Sequence, residues 1–152
     1  MNKRGFFGIG VYHPKKEVNI GTLWRSACIL GADFMFTIGK RYIHQGSDTV
    51  KAYRHVPLWE FASFGDFIKS SPRECALVCV ELADSSLNLA DFRHPERAVY
   101  LLGAEDGGIP MKILNGNPIL QIPSEREYCL NVSVAGSIVM YDRLAKRLVQ
   151  PG

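Results

Sequence analysis

The chain has 152 residues, of which 47% are hydrophobic and 22% charged, with a formal net charge of +3. That length suits one domain with a real core, and the balance excludes a disordered tail. No run approaches the roughly 18 apolar residues of a membrane-spanning helix, and the mild positive charge does not by itself announce a nucleic-acid binder.

The opening residues 1–10 are basic at first, then glycine-broken and strand-like. They lack a small-residue cleavage site, so no signal peptide is expected and the chain reads as cytoplasmic. A strand is predicted from Phe6 to Tyr12, ended by Pro14. Asn19 then stands where a helix N-cap belongs. Ile20, Leu23, Trp24, Ala27 and Leu30 follow at helical spacing, and Gly31 closes the helix. Residues 32–38 return to strand, which makes a β-α-β unit with parallel pairing.

Residues 39–56 show no periodicity and are rich in polar and basic side chains, a length that points to function or disorder. A short helix is predicted over residues 61–68, with Ser63 or Asp66 as cap. Residues 75–82 and 98–102 read as buried parallel strands. A helical turn follows over residues 110–114, then a strand over 119–122. A last helix spans residues 131–149, with Val134, Ile138, Tyr141, Leu144, Ala145 and Leu148 expected inward, and Arg143, Lys146 and Arg147 outward or near its C-terminus. The expectation is a single α/β domain over residues 1–152, a mostly parallel sheet with helices on both faces.

Cys28, Cys75, Cys79 and Cys129 lack CxxC spacing and read as buried, reduced thiols. His13, His44, His55 and His94 are too scattered to argue a metal site.

Three short segments carry the chemistry. In the first, Gly21 lets a backbone or ligand approach the helix start, while Asn19 reads as a cap and Arg25 as a surface charge or a functional one. Six positions apart, Arg25 is expected to project roughly below Asn19. In the second, Gly103, Gly107 and Gly108 surround Glu105 and Asp106 just after a buried strand. Two carboxylates argue against a phosphate cradle. A Rossmann site is disfavoured too, because Gly8 and Gly10 sit inside the first strand instead of in its following turn. In the third, Ile122 and Pro123 end a strand, and Asn131 and Ser133 open a helix, where Asn131 also reads as a plain N-cap.

Together these residues resemble the SPOUT superfamily, specifically the SpoU/TrmH-type RNA ribose 2′-O-methyltransferases. Asn19, Gly21 and Arg25 match N-x-G-x-x-x-R. Gly103, Glu105, Gly108 and Ile109 match G-x-E-x-x-G-[IL]. Ile122, Pro123, Leu130, Asn131, Val132, Ser133 and Ala135 match I-P … S-L-N-V-S-x-A, with Cys129 in place of the usual serine.

The resemblance implies a deep C-terminal trefoil knot and S-adenosyl-L-methionine held by Val80, Glu81, Leu82, Gly103, Ala104, Glu105, Gly108, Ile122, Pro123, Cys129 and Leu130. It implies a homodimer in which Arg25 of one copy enters the site of the other, and a minimal catalytic domain without the RNA-binding extension of some relatives. Arg25, Asn19, Glu105 and Asn131 would be catalytic. A guanidinium holds its proton at neutral pH, so Arg25 is read as binding the target phosphate and stabilising the developing alkoxide. Lys40, Arg41, Lys51 and Arg54 would contact RNA phosphates, with transfer RNA favoured as substrate. No metal and no membrane is expected. The alternatives are a ribosomal RNA 2′-O-methyltransferase, a non-catalytic RNA-binding knotted protein, and a nucleotide-dependent metabolic enzyme.

Overall fold

A computed structural model describes residues 5–39 and 51–149. Among these described residues, seven strands form one sheet in the order β3-β2-β1-β6-β4-β7-β5. They are β1 (Phe6–Tyr12), β2 (Phe34–Ile38), β3 (Leu58–Phe61), β4 (Ala76–Val80), β5 (Leu87–Asn88), β6 (Arg97–Gly103) and β7 (Ile119–Gln121). Every pairing between them is parallel. The helices are α1 (Glu17–Leu30), α2 (Phe64–Ser70), α3 (Met111–Leu114) and α4 (Val132–Val149).

Both faces of the sheet are covered, as a parallel sheet requires. Alternate residues of β6 show the division. Ala98, Tyr100 and Leu102 face the core shared with α1 and α4, while Val99 and Leu101 face the one shared with α2 and α3. On β1 the second face is made by Gly8 and Gly10. A Cβ there would lie 2.1 Å and 2.5 Å from the rings of Phe34 and Phe36. Those glycines make room for aromatic packing across the sheet, consistent with their failure to read as a dinucleotide turn.

Several boundaries differ from the sequence expectation. Phe61 ends β3, and the helix begins at Phe64, capped by the Ser63 hydroxyl accepting from the Asp66 amide at 3.1 Å. Strand β5 is only two residues long, too short for alternation to reveal. Helix α1 starts at Glu17, so Asn19 lies inside its first turn and does not cap it. Gly31 closes that helix as expected, with φ of 90° and its N–H on the Ala27 carbonyl at 3.1 Å.

The face of α4 is the largest correction. The helix buries Val132, Ser133, Gly136, Val139, Met140 and Arg143, whereas Val134, Tyr141 and Leu148 are exposed. Arg143, expected outward, is buried over the Phe7 ring and donates to the Pro95 and Glu96 carbonyls at 2.6 and 2.8 Å. Lys146 likewise donates to the Leu89 and Phe92 carbonyls. Both cations therefore tie α4 to the connection between β5 and β6.

Candidate active site

The C-terminal ends of β4, β6 and β7 lie side by side, and the first turn of α4 closes the space beyond them. This is where parallel sheets bind ligands. A cavity of about 280 Å³ opens there, lined by Val80, Glu81, Leu82, Leu102, Gly103, Ala104, Glu105, Asp106, Gly108, Leu120, Ile122, Ser124, Tyr128, Cys129, Leu130, Val132 and Ala135. Of the residues expected to hold a cofactor, all but Pro123 are in this lining. Leu102 and Leu120 were missed because their apolar side chains look like ordinary core, and Val132 and Ala135 were read as motif positions without a place in the cofactor wall. Ser124 and Tyr128 belong to an irregular loop that no periodicity marks.

The loop after β6 has its shape from two close approaches. A Cβ on Gly103 would stand 2.8 Å from the Gly108 backbone, so only glycine lets the loop fold back on its own strand. Gly108 has φ of 62°, and its Cα faces the Glu81 carboxylate. That carboxylate accepts from the Ile109 amide at 3.0 Å and from the Leu82 amide at 3.3 Å. Glu81 thus braces the loop from the end of β4, a contact the sequence did not disclose.

A directed line of hydrogen bonds joins the three segments. Asn19 donates through Nδ2 to Glu105 Oε1. Its own Oδ1 accepts from Asn131 Nδ2 at 3.0 Å. Asn131 Oδ1 in turn accepts from the Ser133 amide at 2.9 Å and hydroxyl at 2.6 Å. Asn131 therefore caps α4 and reaches α1 at once. The early burial of Asn19 has its reason here, since a polar side chain in a core must find partners.

Arg25 is exposed on α1 and is not in the cavity lining. Six residues turn a helix by about 600°, which leaves roughly 120° between Arg25 and Asn19 instead of stacking them. Lys15 pairs with Asp106 across the cavity rim and holds that exposed carboxyl below its usual range by hydrogen bond and charge. Lys51 and Arg54 are exposed around a 3-10 turn (Ala52–Arg54), with Arg54 over the Tyr53 ring. Lys40 and Arg41 lie outside the described residues.

The four cysteines are free, but only Cys79 is fully buried, and burial pushes its thiol up to about 11. Cys129 is exposed in the cavity wall, against the expectation of burial. Among the described residues no cluster suits a metal ion, and no helix is long and apolar enough to cross a membrane.

Residues 7–141 match the SpoU rRNA Methylase family, most of the chain and all three segments. The chain belongs to that family. It is a domain of the SpoU/TrmH type, a family of RNA methyltransferases that use S-adenosyl-L-methionine. Among curated proteins it is similar to the mouse tRNA (guanosine(18)-2′-O)-methyltransferase TARBP1, 26% identical over 144 residues. That match takes in 88% of this chain but only 9% of the mouse protein.

Among solved structures, a chain from work on the 2-OH methylation of C/U34 on tRNA is 25% identical with a TM-score of 0.81, covering 96% of this chain and 98% of that one. The A. aeolicus TrmH/SpoU tRNA modifying enzyme shares the fold at 20% identity and a TM-score of 0.83, over 97% of this chain and 78% of its own. The cavity fits the family's methyl donor on its own chemistry. Its wall combines carboxylates, which suit a cationic ligand, with a glycine-lined backbone cradle that can approach a flat ring.

Proposed function

We propose that the chain methylates a ribose 2′-hydroxyl of transfer RNA, working as a homodimer that shares its active sites. The line from Glu105 through Asn19 to Asn131 carries this reading, because it sets three segments distant in sequence around one cavity. Bound S-adenosylmethionine would supply an electrophilic methyl group to the ribose oxygen, leaving as the neutral thioether, with the hydroxyl proton released to water. Val80 to Leu82, Gly103 to Glu105, Gly108, Ile122, Cys129 and Leu130 hold the donor. Asn19, Glu105, Asn131 and Ser133 orient the ribose and the arginine, and Lys51 and Arg54 meet RNA phosphates.

The surface of α1 and α4 supports the second copy. Val18, Thr22, Arg25 and Ile29 share one exposed stripe of α1. Beside it Val134, Ile138 and Tyr141 of α4 line a shallow hollow together with Thr22 and Leu30. An apolar face of this kind on a charged protein marks an interface. Arg25 stands within it; in this reading it serves the cavity of a neighbouring copy, where its guanidinium binds phosphate and stabilises the developing alkoxide.

The knot belongs to the same proposal. Strand β7 inserts between β4 and β5, and α4 then packs under the β5–β6 connection, an order that suits a threaded C-terminus.

Transfer of tritium from labelled donor to bulk tRNA, followed by mass-spectrometric mapping of the ribose, tests the activity. Arg25→Ala should lower turnover by about a hundredfold or more while donor affinity stays within about twofold. Equal loss of both counts against the assignment. The family's description favours ribosomal RNA as the second reading, and the same assay on ribosomal RNA decides between them.

A further inference from the structure

We propose that the Glu81 carboxylate biases the cavity toward the positively charged methyl donor and against the neutral product, a role that rests on the donor-binding reading above. Within one copy the described lining holds three carboxylates, Glu81, Glu105 and Asp106, and no lysine, arginine or histidine, and the neighbouring copy's Arg25 is read above as paired with the RNA phosphate. Their partners differ in kind. Asp106 is matched by the Lys15 ammonium. Glu105 is met by the neutral amide of Asn19, and Glu81 by the neutral N–H groups of Ile109 and Leu82. Neutral donors steady a carboxylate without cancelling its charge at a distance. The nearby loop adds Glu125 and Glu127 against the single Arg126, so it does not neutralise the wall.

The donor carries a sulfonium, an ammonium and a carboxylate, one net positive charge. Methyl transfer turns the sulfonium into a thioether, and the product is neutral overall. A fixed negative charge in the wall therefore attracts the molecule before transfer more than after it, in a pocket where solvent screens less than on an open surface. The consequence is selection of fresh donor and easier departure of product. Glu105 shares the sign, but its place in the hydrogen-bonded line confounds any test. Glu81 is outside that line, which makes it the informative residue.

Glu81 also braces the loop, so the experiment must separate charge from support. Glu81→Gln keeps an oxygen to accept from the Ile109 amide and removes the charge; Glu81→Ala removes both. Calorimetry on each variant and the wild type would measure S-adenosylmethionine, S-adenosylhomocysteine and sinefungin, whose amine-bearing carbon keeps a positive charge without sulfur. In Glu81→Gln the donor should weaken about three- to tenfold and the neutral product by less than about twofold, with sinefungin following the donor. Equal weakening of donor and product, or no change in their ratio, overturns the proposal and leaves Glu81 as a brace alone. Should Glu81→Gln fail to fold, the wild type answers by salt. Between about 0.05 and 0.5 M the donor-to-product affinity ratio should shrink, and a constant ratio overturns the proposal. A wild type that binds neither molecule sinks the donor-binding reading itself.

Discussion

Asn19 is the residue on which the site turns. Its amide nitrogen gives to Glu105 while its amide oxygen takes from Asn131, so it must be an amide and must point one way. Asn19→Asp would set a second carboxylate against Glu105 in a nearly buried position, a like-charge arrangement that costs about 3 kcal/mol or raises a carboxyl pKa. Thermal denaturation should show this variant melting several degrees below wild type, and turnover should fall further than in Asn19→Ala. A stable, active Asn19→Asp chain would remove the directed line from the argument. Gly103→Ala is the companion case on the cavity side. Its new methyl group would meet the Gly108 backbone, so titration should show donor affinity reduced at least about tenfold with the core intact. At this scale the sequence was legible wherever residue type and spacing formed a motif. Tyr128 escaped, and so did the bracing contacts of Glu81, because these depend on distant segments meeting, which no local pattern records.

Among the elements, α4 shows both how far periodicity reaches and where it stops. The spacing of Val134, Ile138, Tyr141 and Leu148 marks one helical stripe correctly as apolar. It does not say whether the stripe meets its own core or another molecule. The true inward face holds small and polar residues, Ser133, Gly136 and Arg143, that a hydrophobicity count passes over. Arg143→Ala would leave two carbonyls and the Tyr100 hydroxyl short of a donor, and chemical denaturation should read a loss of about 3 kcal/mol. Nearby, His94 Nδ1 lies 2.6 Å from the Tyr100 hydroxyl, and Nε2 lies 2.7 Å from Asp142 Oδ2. Neutral His94 satisfies both if Nε2 carries the hydrogen and Tyr100 donates.

Burial lowers the His94 pKa, and the Arg143 and Lys146 charges add to this against the opposing pull of Asp142. A group whose folded pKa lies below its ordinary 6.5 takes up protons more readily unfolded. Its contribution to stability is thus complete above that value and is lost as pH falls from 6.5 toward the lower folded pKa. Melting curves between pH 7.5 and 5.5, chosen as roughly one unit either side of the ordinary histidine value, should show the wild type destabilised. His94→Gln, which can keep both hydrogen bonds, should show a flatter response. Equal slopes would mean that His94 does not govern the acid limb.

For the whole molecule, the decisive question is whether two copies complete each other. A preparation of Arg25→Ala and one of Glu105→Ala should each be inactive. Unfolded together and refolded as a mixture, they should recover about a quarter of wild-type turnover, since half of the random dimers are mixed and each mixed dimer has one intact site. No recovery would place Arg25 and Glu105 in the same copy's chemistry. Replacing Tyr141 with Glu on the exposed face should shift the particle mass measured by light scattering from dimer to monomer and abolish turnover. Fold class, strand direction and both sheet faces were legible from the alternation of buried runs with helical spacing. The sheet order was not, because a two-residue strand and a late insertion leave no trace in local sequence.

That late insertion also governs how the protein comes into being. The cavity walls are drawn from residues on either side of position 100 and from residues beyond 119, so nothing able to grip the donor exists while the ribosome is still making β6. Such non-local assembly is slow, and the waiting chain exposes the edge of β4 until β7 arrives to cover it. A cell producing this domain must therefore shelter an unfinished sheet, and the donor itself can stabilise only chains whose synthesis has passed the turn into α4.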